Sequence, residues 1–286
     1  MSFKIGVMIE SFRLGVPDGL AAAARLGVQG VQLHATRGET HFSKLRGGAL
    51  ADFRRQVTGL GLEVAAVCGD FGGHGFQVVE ENSQRIEDSK RVMDLAGELD
   101  CSVVTTHIGI VPHDAGHPRY AVLARACEEL GRYAESAGAA FAIETGPEPA
   151  AVLRRFLDDI GLAGGLAVNF DPANLVMVCR ENIPEAVRLL GPYIRHTHAK
   201  DGLNLKPVDA DRLYGAFEDS HLETLQWADY FREVPLGKGG VNFPEYLAAL
   251  RAADYSGYLT IEREVGNDPY RDIAQAVEFL KALNAQ

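Results

Sequence analysis

The chain has 286 residues, of which 47% are apolar and 23% charged, a composition that excludes a disordered or low-complexity protein. Its formal net charge is −11, which opposes binding to a nucleic-acid backbone or an anionic membrane surface, and no basic patch compensates for it. We find no secretory signal, no apolar segment long enough to span a bilayer and only four scattered cysteines, so we expect a cytoplasmic protein with reduced thiols.

Short apolar runs rich in β-branched residues recur along the chain and predict strands. In chain order they cover residues 4–10, 28–34, 62–69, 102–109, 139–146, 166–172, 194–201 and 258–264. Between the runs lie segments with apolar residues three and four positions apart, which predict helices, and several of these end at glycine. These segments cover residues 16–27, 48–61, 83–100, 119–138, 148–161, 183–191, 243–254 and 268–283.

Eight alternations of strand and helix predict a parallel sheet, and this chain length suits a single closed (β/α)8 TIM barrel, typically ~250 residues. A doubly wound open sheet is the alternative, but residues 11–17 lack the glycine-rich first turn of a nucleotide-binding fold. We therefore expect one catalytic domain over residues 1–286. The long connection at 202–240 is interpreted as a partly helical insert, either a surface excursion or a lid or subunit contact.

Polar residues stand at the ends of the later strands, where the active site of a barrel lies. In chain order they are His107, Glu144, Asp171, His198, Glu262 and Glu264. Asp171 alone could simply cap a turn before Pro172. Taken together, Glu144, Asp171, His198 and Glu262 are candidate ligands for one divalent metal ion, because three carboxylates crowded without a cation would repel one another. This hard donor set favours Mn²⁺, with Mg²⁺, Co²⁺ and Zn²⁺ as alternatives.

Four motifs resemble those of the xylose-isomerase-like TIM-barrel superfamily, the sugar phosphate isomerase/epimerase group. They are IETG at 143–146, FDPAN at 170–174, HTHAKDG at 196–202 and GYLTIEREVGNDP at 257–269. The resemblance implies a metal-dependent isomerase or epimerase of a sugar, keto-sugar or polyol derivative. Such an enzyme abstracts a proton next to a metal-bound carbonyl and forms an enediolate.

The resemblance also assigns roles to individual residues. It makes Glu144 and Glu262 the catalytic acid/base pair as well as metal ligands. Other residues of these motifs and strand ends are expected to contact the substrate or the groups that bind it: His107, Asn174, Lys200, Asp201 and Glu264. Many relatives have histidine at the position of Asn174, so the match to ketose 3-epimerases is incomplete here.

Other functions of the same fold stay open at the level of sequence. A lyase, of the inosose-dehydratase kind or one that eliminates a group from a 3-keto-glycoside, would use the same proton abstraction. A non-catalytic carbohydrate-binding barrel is a further alternative. The acidic charge and Asn174 argue against a DNA-repair nuclease. We expect a small carbohydrate substrate, neither nucleic acid nor membrane as a partner, and a homo-oligomer.

Overall fold

The computed structural model describes residues 2–208 and 226–285, and eight of the strands in them close into one parallel barrel. In chain order the strands are β1 (Lys4–Met8), β2 (Gly30–His34), β3 (Glu63–Cys68), β4 (Val103–Thr106), β5 (Ala140–Glu144), β6 (Leu166–Phe170), β7 (Ile194–Ala199), β8 (Asp201–Asn204), β9 (Phe231–Val234) and β10 (Tyr258–Ile261). β10 closes the barrel between β7 and β1, while β8 and β9 form a separate antiparallel hairpin. The predicted (β/α)8 barrel is therefore confirmed.

Helices surround the barrel and connect its strands. They are α1 (Val16–Leu26), α2 (Gly47–Gly59), α3 (Val79–Glu98), α4 (Pro118–Ala137), α5 (Ala150–Ile160), the short α6 (Pro172–Asn174), α7 (Ile183–Leu190), α8 (Phe243–Ala252) and α9 (Pro269–Asn284). Their ends follow the sequence signals: Gly27, Gly138 and Gly161 end α1, α4 and α5 in the left-handed conformation. Asp268 caps the start of α9, directly before Pro269.

Alternation along the strands separates two cores. In β5, Phe141 and Ile143 belong to the large core between the barrel and the helices. Ala140 and Ala142 belong to a small cluster of alanines from β5 and β6. Successive side chains of a strand point to opposite faces, so Glu144 continues the inward-facing row of the alanines at the carboxyl end of β5.

The connection after β7 begins with strand structure. β8 follows β7 after a single residue and pairs with β9, and a short 3-10 turn at Trp227–Asp229 precedes β9. Residues 209–225 of the insert that was expected to be partly helical, 202–240, lie outside the described residues. In the described part of the chain no helix is both long enough and apolar enough to cross a membrane.

Candidate metal centre and active site

Four ligand-type side chains meet at the carboxyl-terminal mouth of the barrel, and all four are buried. One oxygen or nitrogen from each of Glu144, Asp171, His198 and Glu262 lies within 4.8 Å of the others. His198 Nδ1 lies 3.4 Å from Asp171 Oδ2, 3.4 Å from Glu262 Oε2 and 3.5 Å from Glu144 Oε1. The structure thus brings together the four residues that the sequence analysis named as a ligand set. We call them the four-residue cluster.

The donor atoms of this cluster fit a divalent cation. Asp171 Oδ2 and His198 Nδ1 are buried and have no hydrogen-bond partner among the described residues. His198 Nε2 lies 3.2 Å from Gln32 Oε1, an acceptor, and 3.2 Å from Asn169 Nδ2, a donor. In the neutral tautomer that donates to Gln32, the Nδ1 lone pair faces the carboxylates. A lone pair among three carboxylate oxygens is repulsive unless a cation lies between them. The cluster could therefore hold one metal ion.

Without a metal ion, a proton is the other cation that the cluster can hold. Burial lowers the pKa of His198, but the carboxylates of Glu262 and Glu144 outweigh this effect and raise the pKa well above its ordinary value. A metal ion bound by the cluster would replace this proton, since metal ligands must be deprotonated.

The two oxygens of Asp171 have different environments. Oδ1 accepts hydrogen bonds from the backbone N–H groups of Ala173, at 2.7 Å, and Asn174, at 3.1 Å, and thereby caps α6. Pro172 occupies the first turn of α6, where its missing N–H removes no helical hydrogen bond. The turn cap and the metal ligand considered for Asp171 are therefore compatible, because the cap leaves Oδ2 facing the cluster.

Buried amides hold the cluster from inside the barrel. Asn169 Nδ2 donates to Glu144 Oε2 at 3.1 Å. Gln32 Nε2 donates to Thr105 Oγ1 at 3.1 Å, which fixes Gln32 Oε1 as the acceptor facing His198. The sequence analysis did not identify Gln32 as a supporting residue. Its polar side chain near the end of the second predicted strand, 28–34, was the signal that could have found it.

Lys200 is a buried cation next to the cluster. Its Nζ donates to Glu262 Oε2 at 2.8 Å and also to Glu264, whose carboxylate lies at the exposed rim. Burial lowers the pKa of Lys200, but Glu262 and Glu264 raise it well above its ordinary value. Burial raises the pKa of Glu262, while Lys200 and His198 bring it well below its ordinary value. Glu262 is therefore held as a carboxylate.

His107 lies beside the cluster, between two carboxylates. Its Nδ1 is 3.3 Å from Asp70 Oδ2 and its Nε2 is 3.7 Å from Glu144 Oε1. Burial lowers the pKa of His107, but Glu144 and Asp70 raise it above its ordinary value. Asp70 was not singled out from the sequence, although it directly follows the third predicted strand, 62–69, at the end where the other polar residues lie.

Asn174 orients one of the cluster carboxylates. Its Nδ2 donates to Glu144 Oε1 at 3.1 Å and to the carbonyl of Thr145 at 3.2 Å. Together with Asn169, which donates to Oε2, it gives each oxygen of Glu144 an amide partner. Where many relatives have a histidine, this chain therefore has an amide that donates a hydrogen bond to Glu144.

Asp201 has a different environment from the other predicted site residues. Its carboxylate accepts hydrogen bonds from the backbone N–H groups of Gly202 at 2.9 Å, Gly239 at 2.8 Å and Val241 at 3.1 Å. A Cβ atom at Gly239 would come within 2.2 Å of Asp201 Oδ1, so this turn requires glycine. Asp201 anchors the turn after β9 to the start of β8. Three backbone N–H groups therefore pair with its carboxylate inside the protein.

The cluster opens into a cavity of about 500 Å³, a volume suited to a small molecule. The candidate substrate-contact residues that line it are His107, Asn174, Lys200 and Glu264. On the hairpin side the lining includes Trp227 and Phe231, whose rings meet edge to face with centroids 5.7 Å apart. The hairpin therefore adds an apolar wall beside the polar groups of the cluster.

A closed parallel barrel with carboxylates and imidazoles converging at its carboxyl end defines a TIM-barrel protein with a candidate metal-dependent active site. Residues 20–283 match the family model described as xylose isomerase-like TIM barrel. The chain belongs to this family, which confirms the resemblance seen in the sequence motifs.

Solved structures with the same fold include several enzymes. The xylose isomerase domain protein from Planctomyces limnophilus is 29% identical, with 99% of this chain and 96% of that chain covered and a TM-score of 0.76. A D-psicose 3-epimerase, solved in the presence of D-fructose, is 16% identical, with 99% and 100% covered and a TM-score of 0.72. The probable 3-DHS dehydratase AsbF from Bacillus anthracis is 18% identical, with 98% and 99% covered and a TM-score of 0.74. No curated protein sequence matches the chain.

Proposed function

We propose that this protein is a divalent-metal-dependent isomerase or epimerase of a sugar, keto-sugar or polyol derivative. The four-residue cluster carries the proposal, because its buried donors converge on one point that a cation would fill. Membership of the xylose isomerase-like family supports the same class of chemistry, as does the structural similarity to an epimerase.

The cluster residues Glu144, Asp171, His198 and Glu262 would hold the metal ion. When bound, the ion would polarise a substrate carbonyl and so acidify the hydrogen on the neighbouring carbon. The donor set of three carboxylates and one imidazole favours Mn²⁺, with Mg²⁺, Co²⁺ and Zn²⁺ as alternatives.

Glu144 and Glu262 are the proposed acid/base pair. They project from β5 and β10, which β6 and β7 separate around the barrel, so the two carboxylates reach the cavity from different directions. One removes the proton next to the carbonyl, and the other delivers a proton to the opposite face of the same carbon. Lys200 keeps Glu262 ionised, and Asn169 and Asn174 fix the two oxygens of Glu144.

A lyase of the same fold is the second candidate, and one contact favours it. His107 lines the cavity with Nε2 3.7 Å from Glu144 Oε1. Elimination of water needs an acid that protonates the departing hydroxyl, and His107 is placed to do so after Glu144 has removed the proton. The structural similarity to a dehydratase agrees with this candidate.

Proton exchange in D₂O tests the proposal directly. The protein, loaded in turn with Mn²⁺, Mg²⁺, Co²⁺ and Zn²⁺, is incubated with keto-sugars, inososes and 3-keto-glycosides, and deuterium incorporation next to the carbonyl is followed by NMR. We expect exchange with at least one compound, and its loss in Glu144→Gln and Glu262→Gln. Glu278→Gln is the matched control, because Glu278 is exposed on α9. Product analysis separates an epimer from an elimination product.

Two results would contradict the proposal. The first is the absence of exchange with every compound and every metal ion. The second is exchange that persists in both glutamine variants, because the acid/base pair would then be elsewhere.

A further inference from the structure

The apolar wall of the cavity consists of four side chains that lie outside the barrel strands: Met177, Val178, Trp227 and Phe231. Met177 and Val178 belong to a π-helical turn after α6, and the other two belong to the hairpin and the 3-10 turn before it. These four side chains pack into a hydrophobic cluster of their own, separate from the large core around the barrel. Single π-helical turns are frequent at functional sites.

Backbone contacts fix the two halves of the apolar wall to each other. Asn204 Nδ2, on β8, donates to the carbonyl of Met177 at 2.6 Å, and Asn204 Oδ1 accepts from Arg180 Nε at 2.7 Å. A Cβ atom at Gly202 would clash with the side chain of Met177, so the hairpin packs directly on the π-helical turn. The apolar wall is therefore formed before any ligand binds.

The apolar wall is a poor surface for sugar hydroxyl groups. The side chains of Val178 and Phe231 have no hydrogen-bonding atom, and the thioether of Met177 is only a weak acceptor. A hydroxyl group pressed against them would lose its water without gaining a partner, which is costly. The charged hairpin residues in the lining do not change this, because Glu233 is paired with Arg263 and Arg232 is exposed. An apolar group, in contrast, would gain free energy by leaving water.

The geometry of the apolar wall favours a ring. The planes of Trp227 and Phe231 are 89° apart, so the two side chains form a corner between perpendicular rings. A third aromatic ring in this corner can stack on one of them and meet the other edge to face, the two arrangements that aromatic pairs prefer. The flexible thioether of Met177 adds a side chain that adapts to the outline of a ring.

The apolar wall and the metal ligands face the same space. Glu144 and Glu262 line the cavity together with the apolar wall, so one bound molecule can contact both. The volume of about 500 Å³ lies within the range of pockets for drug-sized ligands, ~300–1,000 Å³, and leaves room for a ring beside a monosaccharide.

We propose that the apolar wall binds an aromatic substituent of the substrate, so that the substrate is a keto-sugar glycoside with an aromatic aglycone and not a free sugar. The inference rests on the proposed function, because it assumes that the sugar carbonyl lies at the four-residue cluster. It narrows that function to one class of compound. Trp227 and Phe231 are then specificity-determining residues.

The test measures binding of two glucosides that share a sugar and differ only in the aglycone. The Mg²⁺-loaded protein is titrated with phenyl β-D-glucoside and methyl β-D-glucoside, neither of which has a carbonyl group, so turnover does not interfere. Affinities are measured by saturation-transfer NMR. We expect phenyl β-D-glucoside to bind at least ~10-fold more tightly, because its ring buries additional apolar surface. Trp227 is the only tryptophan of the chain, and its emission should shift to the blue with the phenyl compound alone.

Phe231→Ala keeps the tryptophan reporter and removes one side of the corner. We expect its affinity for phenyl β-D-glucoside to fall by ~10-fold, as for a lost aromatic contact and its buried area, and its affinity for methyl β-D-glucoside to stay unchanged. Phe231→Leu keeps an apolar side chain if the alanine variant disturbs the fold, and it should lose several-fold. Tyr133→Ala is the matched control, because Tyr133 lies on α4 and is not part of the cavity lining.

Three results would overturn the aromatic subsite. They are equal affinities of the wild type for the two glucosides, binding of neither, and an equal loss of both affinities in the Phe231 variants, which would mean that the apolar wall contacts the sugar ring itself. Phenyl-selective binding that depends on Phe231, without proton exchange on any keto-sugar, would instead overturn the proposed function and leave the subsite intact. Proton exchange on free ketoses without a preference for the phenyl compound would do the reverse.

Discussion

The two sides of the barrel mouth differ in how their buried polar groups are paired. On the side built by β5, β6, β7 and β10, buried carboxylates and one imidazole nitrogen face one another with unpaired atoms, an arrangement that calls for a cation. On the side built by β2, β3 and β4, the polar groups hydrogen-bond one another or the backbone. The same strand-end positions therefore gather unpaired ligand atoms on one side and mostly hydrogen-bonded polar groups on the other.

The largest expected effect comes from changing the side that calls for a cation. Asp171→Asn keeps the cap, because the amide oxygen can still accept from Ala173 and Asn174, but it removes the charged oxygen that faces His198. We expect the affinity for Mn²⁺ to fall by ~100-fold or more, since even changes behind the ligands cost 10–100-fold. Bound metal is measured by elemental analysis after dialysis.

The matched control for this variant is Asp268→Asn. Asp268 also caps a helix, α9, by accepting from the backbone N–H of Arg271 at 3.1 Å, and it is not part of the cluster. Equal metal content in the two variants would show that Asp171 is not a metal ligand. The two sides of the mouth would then not differ in the way described above.

Lys200→Met tests whether a residue next to the metal ligands affects catalysis without binding the metal ion itself. Lys200 donates to Glu262 and Glu264 but offers no lone pair to a metal ion while it is charged. We expect kcat/KM to fall by ~10²-fold, because Glu262 loses the cation that keeps it ionised, a loss typical of impaired acid–base catalysis. Metal affinity should stay within ~10-fold of the wild type, a smaller change than for a lost ligand.

Lys44→Met, at an exposed lysine, serves as the control for Lys200→Met. The prediction would be wrong if Lys200→Met lost its bound metal as completely as Asp171→Asn. Lys200 would then be needed to hold the ligands in place, and its effect on metal binding would equal that of a ligand.

Glu233→Gln tests the support behind the metal side. Glu233 and Arg263 form a buried ion pair that joins β9 to the end of β10, and Arg263 also donates to Asp272 at 2.9 Å. Glu233 Oε1 and Oε2 accept from the backbone N–H of Glu264 at 3.2 and 3.3 Å. We expect the free energy of unfolding to fall by ~1–3 kcal/mol, since Arg263 keeps only one of its two anionic partners.

Urea denaturation measures this loss, with Glu185→Gln as the control. The exposed pair of Glu185 with Arg188 spans 3.8 Å, so its removal should cost less than ~1 kcal/mol. Equal losses in the two variants would mean that the hairpin contributes no more to the metal side than a surface contact does.

Strand ends carried most of the information that the sequence could give about this site. Glu144, Asp171, His198 and Glu262 each close an apolar run, and parallel strands place such residues at one rim. Gln32 and Asp70 escaped notice, since their roles depend on which strands face each other across the barrel. The contacts of Asp201 were equally hidden, because they come from a turn 38 residues further along the chain.

The last expected effect is a pH dependence of stability, and it lies where the two sides meet. Glu148, in the loop after β5, is buried and accepts from the backbone N–H of Val111, in the loop after β4, at 3.2 Å. Burial raises the pKa of Glu148 to about 8, above its value in an unfolded chain. The folded protein therefore binds one more proton than the unfolded chain between these values, and the contribution of this group to stability is lost as pH rises toward 8.

Glu148→Gln should abolish this pH dependence while keeping an acceptor for Val111. We expect the free energy of unfolding of the wild type, relative to the variant, to fall by up to ~1.4 kcal/mol per pH unit between about pH 5 and 8. Urea denaturation at one-unit intervals measures the difference. If the free energies of unfolding of the two proteins changed in parallel with pH, Glu148 would ionise normally. The boundary between the two sides would then carry a charge, as the metal side does, and not a neutral hydrogen-bonding group.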